Sequence, residues 1–251
     1  MSEAGRAAAT TAPQFEVIHT SEFVKRSLPA GCRRVLEVGC GAGDLAVLLA
    51  HEGFEVVALD VDPGMVALAQ DLGVDARVAQ WPKSLDEQFD AVLFTRSLHH
   101  IHPLPKSVAA AVDCLAPGGC VVVEDFAVEA ADQRTLAWFT GAIRLLQQSG
   151  LLPGYSELLE KLLGTDGSLA AWQEHHDHDL HRAAAMEAEL RGALTEVTIE
   201  AAPYLFRYLG GALANAPGRD ALVQALAEQE AKLIADGAIV ALGWRLRGTA
   251  G

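Results

Sequence analysis

Three groups of residues in this chain have types and spacings suited to chemistry. The first is Glu37-Val38-Gly39-Cys40-Gly41-Ala42-Gly43-Asp44, with glycine at every second position between two carboxylates. Such glycines let a ligand approach the backbone closely, and the carboxylates favour a ligand that carries positive charge. The second is Asp60, about twenty residues beyond the glycines, where an acidic side chain can accept from both hydroxyls of a ribose. The third is histidine. Seven of the nine lie in two stretches, Leu98-His99-His100-Ile101-His102 and Glu174-His175-His176-Asp177-His178-Asp179-Leu180-His181. With an unperturbed pKa of about 6.5, a histidine is mostly neutral at pH 7 and can take a proton from a hydroxyl or amine.

The glycine spacing differs from the dinucleotide fingerprint, G-x-G-x-x-G, because Asp44 stands where its third glycine would be. Glu37 and Asp44 would repel a pyrophosphate, whereas a ligand bearing a sulfonium and an ammonium would find both favourable. The second histidine stretch precedes an amphipathic helical pattern, with Ala183, Met186, Leu190 and Leu194 on one stripe and Asp179 placed as its N-cap. Residues 175–178 are then extended, so His176 and His178 point the same way and His181 joins them from the helix's first turn. Three readings of this cluster stand side by side: substrate binding or proton abstraction, an H-x-H metal site, and a hydrated polar surface. His99, after the fourth strand, is read either as a base or as a packed histidine.

The elements that position these groups follow from the hydrophobic pattern. Phe15 to Leu28 reads as an entry helix ended by Pro29 and Gly31. Residues 34–38, 55–60, 76–79, 89–94 and 120–125 read as strands, separated by helical stretches at 45–50, 63–71 and 106–115. Alternation at this spacing predicts an α/β, doubly wound and mostly parallel sheet. From 127 to 194 the pattern is helical with no convincing strand, which predicts an insertion after the fifth strand that forms a lid. Val197–Glu200 and Ile239–Trp244 return to strand character around a helix near Asp220 to Ile234. Residues 1–13 are small and polar and are expected to be disordered, the rest forming a single domain. Trp138, Phe139, Leu151, Leu152, Tyr155 and Trp172 either line a substrate pocket or form the lid's own core. Tyr204, Arg207 and Tyr208 are candidate substrate contacts. Glu124 and Asp125, ending the fifth strand, either approach the substrate or cap the next element.

Composition narrows the partners. A formal net charge of -14 disfavours ligands held by phosphate contacts, so no nucleic-acid partner is expected. No apolar run reaches the length of a membrane span and the N-terminus lacks a secretory core, so the expectation is a cytoplasmic protein without a membrane partner. Cys32, Cys40, Cys114 and Cys120 form no CxxC pair, which favours reduced packing residues and no structural metal. The oligomeric expectation is a monomer or homodimer.

Four stretches in order, VLEVGCGAG (35–43), VVALDVDPGMVALA (56–69), FDAVLFTRSLHHI (89–101) and LAPGGCVVVED (115–125), resemble the class I S-adenosylmethionine-dependent methyltransferases. The resemblance spans roughly residues 33–126, and the two late strands fit the antiparallel pair that completes that family's seven-stranded sheet. It implies S-adenosyl-L-methionine as cofactor and methyl transfer to an oxygen, nitrogen or carbon of a small-molecule metabolite. It places Glu37, Gly39, Cys40 and Gly41 at the methionine portion, Asp60 and Val61 at the ribose and adenine, and Thr95 with Ser97 nearest the sulfonium. Family members often have an acidic residue after the third strand. Here Ala79-Gln80-Trp81 stands instead, so Gln80 and Trp81 either meet the adenine or pack as loop residues. His99, His176, His178 and His181 are the candidate catalytic bases. Two other uses of a bound cofactor stay open: a non-methylating reaction, and an inactive partner subunit.

Overall fold

The structure, a computed structural model, describes residues 13–152, 154, 156–213 and 218–250. Seven strands, β1 (Arg34–Val38), β2 (Glu55–Asp60), β3 (Asp75–Val78), β4 (Phe89–Thr95), β5 (Leu115–Phe126), β6 (Thr195–Ala202) and β7 (Gly243–Thr249), form one sheet. Its order is β3-β2-β1-β4-β5-β7-β6. The first five strands are parallel, and β7 runs antiparallel to both β5 and β6. The chain leaves β1 toward β2 on one side and returns to β4 on the other. That reversal opens a crevice at the carboxyl ends of β1 and β4, where a ligand binds in such sheets.

Both faces of the central strands are apolar, as a sheet covered on two sides requires. Val35, Ala58, Leu93 and Val122 pack with α1 (Phe15–Ser27), α2 (Asp44–His51) and α3 (Pro63–Asp71). Leu36, Val57, Val92 and Val121, alternating with them, pack on the other face with α4 (Leu104–Asp113). The period of two along each strand therefore builds two cores at once.

The helical run after β5 divides. α5 (Gln133–Gln148), α6 (Glu157–Gly164) and α7 (Leu169–His175) share a third core, in which Leu136, Phe139, Leu159 and Trp172 are buried. α8 (Ala183–Ala193) instead lays Met186 and Leu190 on the sheet beside α4, because its apolar stripe continues through Leu194 into β6. Residues 183–194 thus belong to the sheet's covering layer, which corrects the extent of the expected lid. The third core is completed by α9 (Phe206–Ala212) and α10 (Arg219–Ala235), through Leu205, Phe206, Leu209 and Val223. Two separate segments therefore build the helical cap.

The apolar run Ile239–Leu242 was expected to begin the last strand and does not. The strand starts at Gly243, whereas Val240 N donates to Thr135 Oγ1 (3.0 Å) and Leu242 O accepts from Ala127 N (2.7 Å). In β7 itself Trp244 and Leu246 face the sheet's core, and Arg245 and Arg247, alternating with them, face α1 at His19 and Ser27. Pro117-Gly118-Gly119 lies within β5, where the register against β4 shifts. The expected disorder at the N-terminus falls on residues 1–12, outside the described residues, as does Tyr155. Among the described residues, no helix is long and apolar enough to cross a membrane.

Candidate functional site

The glycine turn is held in place by its neighbours. Gly39 N and Cys40 N both donate to Leu59 O (2.8 and 3.0 Å), which ties the turn to the end of β2. Gly39 has φ 78°, and a Cβ there would sit 2.5 Å from Ser97 Cβ, so glycine is required. Gly41 differs: no heavy atom lies within 4 Å of the position a Cβ would take, so it borders open space. Its N–H donates to Asp60 Oδ2 (2.8 Å), and Asp62 N donates to Asp60 Oδ1 (3.0 Å). Two backbone donors therefore fix the carboxylate, while each oxygen keeps a lone pair free.

These residues border a cavity of about 440 Å³, within the size range of cofactor sites. Val61, Gln80, Trp81 and Ser97 are also on its wall. Gln80 and Val61 are exposed at its edge. Trp81 is buried, its indole N–H donating to Ser107 O (3.1 Å) and its ring meeting Phe94 edge-on, so it belongs to the sheet's core and borders the cavity as well. Cys40 is buried, and burial pushes its thiol up to about 12, so it stays protonated.

Glu37 is fully buried beneath the turn. Its Oε1 accepts from Thr95 Oγ1 (3.1 Å), and its Oε2 has no partner among the described residues. Burial pushes its pKa up to about 7, partly opposed by the Thr95 hydrogen bond. An orphaned carboxylate oxygen beside an open glycine turn fits a ligand with an ammonium group. The hydroxyls of Thr95 and Ser97 are already used: Ser97 Oγ donates to Val38 O (2.5 Å). Ser97 borders the cavity and Thr95 does not, and neither hydroxyl is a free donor.

The candidate histidines lie near one another but differ in burial and partners. His99 is buried, and its Nδ1 lies 2.7 Å from Oδ1 of Asp125, which is wholly buried. Asp125 Oδ1 also accepts from Phe126 N, and Oδ2 from His99 N. The carboxylate accepts, so Nδ1 carries a proton, and in the neutral ring the lone pair is on Nε2. His176 closes α7 with Nδ1 against Trp172 O (2.8 Å), so its Nε2 accepts from Tyr208 Oη (3.1 Å). Burial pushes His176 down to about 4, and both nitrogens are occupied. His178 is exposed, its ring stacked at 6.5 Å from His176 and 6.4 Å from His100.

The expected geometry around His181 is corrected. α8 begins at Ala183, two residues later, so His181 does not sit in its first turn. Its backbone N donates to His99 O (2.9 Å), which holds the segment against the loop after β4, and its Nε2 donates to Ile101 O (3.0 Å). Nor does Asp179 cap α8: Arg182 occupies that position, and Glu129 Oε1 accepts from Ala183 N (2.9 Å). His176, His178 and His181 all border one cavity of about 670 Å³, beside Glu129, Trp172 and Asp179. Among the described residues, no group of three or more His, Cys, Asp or Glu is placed to hold a metal ion.

Comparison with known proteins settles the family. The profile described as a methyltransferase domain matches residues 8–155. The chain is 30% identical over 181 residues to the ubiquinone biosynthesis O-methyltransferase of Xylella fastidiosa (strain 9a5c), covering 67% of this chain and 70% of that one. The chain belongs to the class I S-adenosylmethionine-dependent methyltransferases. The fold agrees with a SAM dependent methyltransferase from Archaeoglobus fulgidus, at TM-score 0.55 and 14% identity, covering 94% of each chain. It also agrees with the cyclase SpnF, at TM-score 0.56 and 18% identity, over 92% of this chain and 80% of that one.

This methyltransferase has a further buried group at the end of β5. Glu124 accepts from Arg207 (2.6 Å), Arg245 (2.7 Å), Arg96 (3.2 Å) and Thr20 (2.7 Å). Burial pushes its pKa up, but the three guanidiniums outweigh that and bring it down to about 2. Arg96, at the end of β4, has φ 60°, unusual for a side chain with a Cβ. Sequence reasoning singled out Glu124 and Arg207 separately and missed Arg96 and Arg245, since no local pattern links the four.

Proposed function

We propose that this methyltransferase moves the methyl group of S-adenosylmethionine to an oxygen, nitrogen or carbon of a small-molecule metabolite, with His99 as general base. The observation that carries the reading is buried His99, paired with Asp125 of β5 and carried on the loop that borders the cofactor cavity through His100, Ile101 and His102. When bound, the cofactor supplies an electrophilic methyl on a sulfonium. Everything else falls to the chain. Glu37 Oε2 accepts from the ligand's ammonium, and Asp60 accepts from the ribose hydroxyls. Gly41 leaves room for the ligand beside the backbone, and Val61, Gln80 and Trp81 border the adenine.

His99 takes the acceptor's proton on Nε2, and Asp125 steadies the imidazolium that results. The neutral nucleophile is held near the methyl carbon, so the fold contributes mainly positioning and exclusion of water. α5, α6 and α7, with the turn that carries His176 and His178, act as the lid over the acceptor. His176 serves this lid by joining α7 to α9 through Tyr208, and is not a base. The net charge of -14 supports a small molecule over nucleic acid as acceptor.

The test is release of S-adenosylhomocysteine on incubation with phenol, amine and carbon-acid metabolites, together with a matching methylated product. Turnover lost in His99→Ala but kept in His181→Ala supports the reading. Turnover kept in His99→Ala contradicts the role of the base. Cofactor binding with a product that gains no methyl group contradicts the transfer.

A further inference from the structure

A second cavity, of about 390 Å³, lies between α1, the start of α2, the end of β4 and α9. Arg96 is on its wall and also on the wall of the cofactor cavity, so the two adjoin. Tyr204, Arg207 and Tyr208 form the side supplied by the cap.

The charges on this wall do not cancel where they are buried. Arg96 and Arg207, on this wall, and Arg245, which is not on it, are three cations around one anion, Glu124. Arg245 also approaches Glu200 (3.7 Å), which is paired with Arg26. Arg219, on the same wall, is matched by Glu16 and Asp220. Glu16 is thereby occupied, and Asp44, the other carboxylate on the wall, is exposed beside the glycine turn. Arg96 and Arg207 remain undercompensated.

The donors on this wall are also underused. Arg207 has only 10% of its side chain exposed, and its Nε is buried without a partner. Its other nitrogens donate to Glu16 O, Thr20 Oγ1 and Glu124 Oε1. Tyr204 makes no hydroxyl hydrogen bond among the described residues, and burial pushes its pKa up, so it stays a donor. Arg96 is held in its strained conformation by its own N–H donating to Glu124 O (2.7 Å). A guanidinium fork and a hydroxyl donor around a cation-rich cavity match a planar oxyanion.

We propose that this cavity receives a carboxylate carried by the methyl acceptor, with Arg96 and Arg207 as its cationic partners and Tyr204 as a donor. The proposal rests on the methyl-transfer reading, and it makes the substrate class an organic acid.

The test is calorimetric titration of the full chain, saturated with S-adenosylhomocysteine, using benzoate and its neutral counterpart benzamide as probes. Benzoate is expected to bind and benzamide to bind at least about tenfold more weakly, since it lacks the charge that the guanidiniums meet. Arg207→Met is expected to abolish benzoate binding while leaving S-adenosylhomocysteine affinity within about twofold of wild type. A large loss of S-adenosylhomocysteine affinity in Arg207→Met, absent for its decarboxylated analogue, would assign the arginine to the cofactor's carboxylate and overturn the proposal. Should Arg207→Met fail to fold, Tyr204→Phe carries the test, with benzoate affinity lowered about threefold to tenfold. Wild-type protein that binds S-adenosylhomocysteine but not benzoate, or binds benzamide equally well, overturns the proposal. Failure to bind S-adenosylhomocysteine at all fails the methyl-transfer reading instead.

Discussion

His99 Nδ1 stands 2.7 Å from Asp125 Oδ1, and both side chains are buried although 26 residues separate them in sequence. Their meeting follows from the sheet, where β4 and β5 pair with Thr95 opposite Glu124, so the turn after β4 that carries His99 lies beside Asp125, the next residue of β5. The pair fixes which nitrogen of His99 is free. Replacing Asp125 by Asn keeps the shape but removes the charge that orients and supports the ring. His99→Ala and Asp125→Asn are each expected to lower kcat by about a hundredfold to ten-thousandfold, the usual contribution of a general base. S-adenosylhomocysteine affinity, measured alongside, should stay near wild type.

Glu37 gives the cofactor site a pH dependence. Below about 7 the buried carboxyl is protonated, and above it the carboxylate can meet an ammonium. If only the ionised form binds well, S-adenosylhomocysteine affinity should rise about tenfold between pH 6 and pH 8 and stay flat in Glu37→Gln. The ligand-free protein shows the opposite slope. Because the folded pKa lies above the ordinary 4.5, ionisation opposes folding, and stability is lost as pH rises from 4.5 to about 7. The cost is on the order of 3 kcal/mol. Denaturant titrations of wild type and Glu37→Gln at pH 5 and pH 8 measure it.

Glu124 behaves in the reverse sense. Its folded pKa of about 2 lies below the ordinary 4.5, so its contribution to stability is complete above 4.5 and is lost as pH falls toward 2. Glu124→Gln leaves three buried or half-buried guanidiniums without their carboxylate, and should cost about 3 to 5 kcal/mol at pH 7. In urea titrations, the gap from wild type should close progressively below pH 4.5.

The two glycines flanking Cys40 should fail in different ways. Gly39→Ala forces a Cβ to within 2.5 Å of Ser97 Cβ at φ 78°, so the fold itself should lose about 2 kcal/mol or more, read by thermal unfolding. Gly41→Ala meets no atom of the protein and carries only the strain of φ 53°, about 1 kcal/mol. Its methyl group enters the open space beside Asp60, so S-adenosylhomocysteine affinity should fall more than stability does.

The glycine turn and its acidic partner were legible because their determinants are local. A strand ending in spaced glycines, then a second strand ending in Asp60, specify the turn and its acidic partner within thirty residues. The acceptor side depends on contacts that no local pattern carries. Asp125 reads either as approaching the substrate or as capping the next element, and His99 as a base or a packed histidine, but nothing local joins the two. His181 was misplaced because Asp179 has the chemistry of an N-cap, yet Glu129 takes that role from another segment. The cap was only half legible, since α9 and α10 join α5 to α7 from across the chain.

The most direct test of the account is calorimetric titration of the purified protein with S-adenosylmethionine and S-adenosylhomocysteine, in wild type and in Asp60→Ala. The account predicts saturable binding of both ligands by wild type, weakened at least about tenfold when the carboxylate beside Gly41 is removed. Wild-type protein that binds neither ligand, or a variant that binds both unchanged, would contradict it.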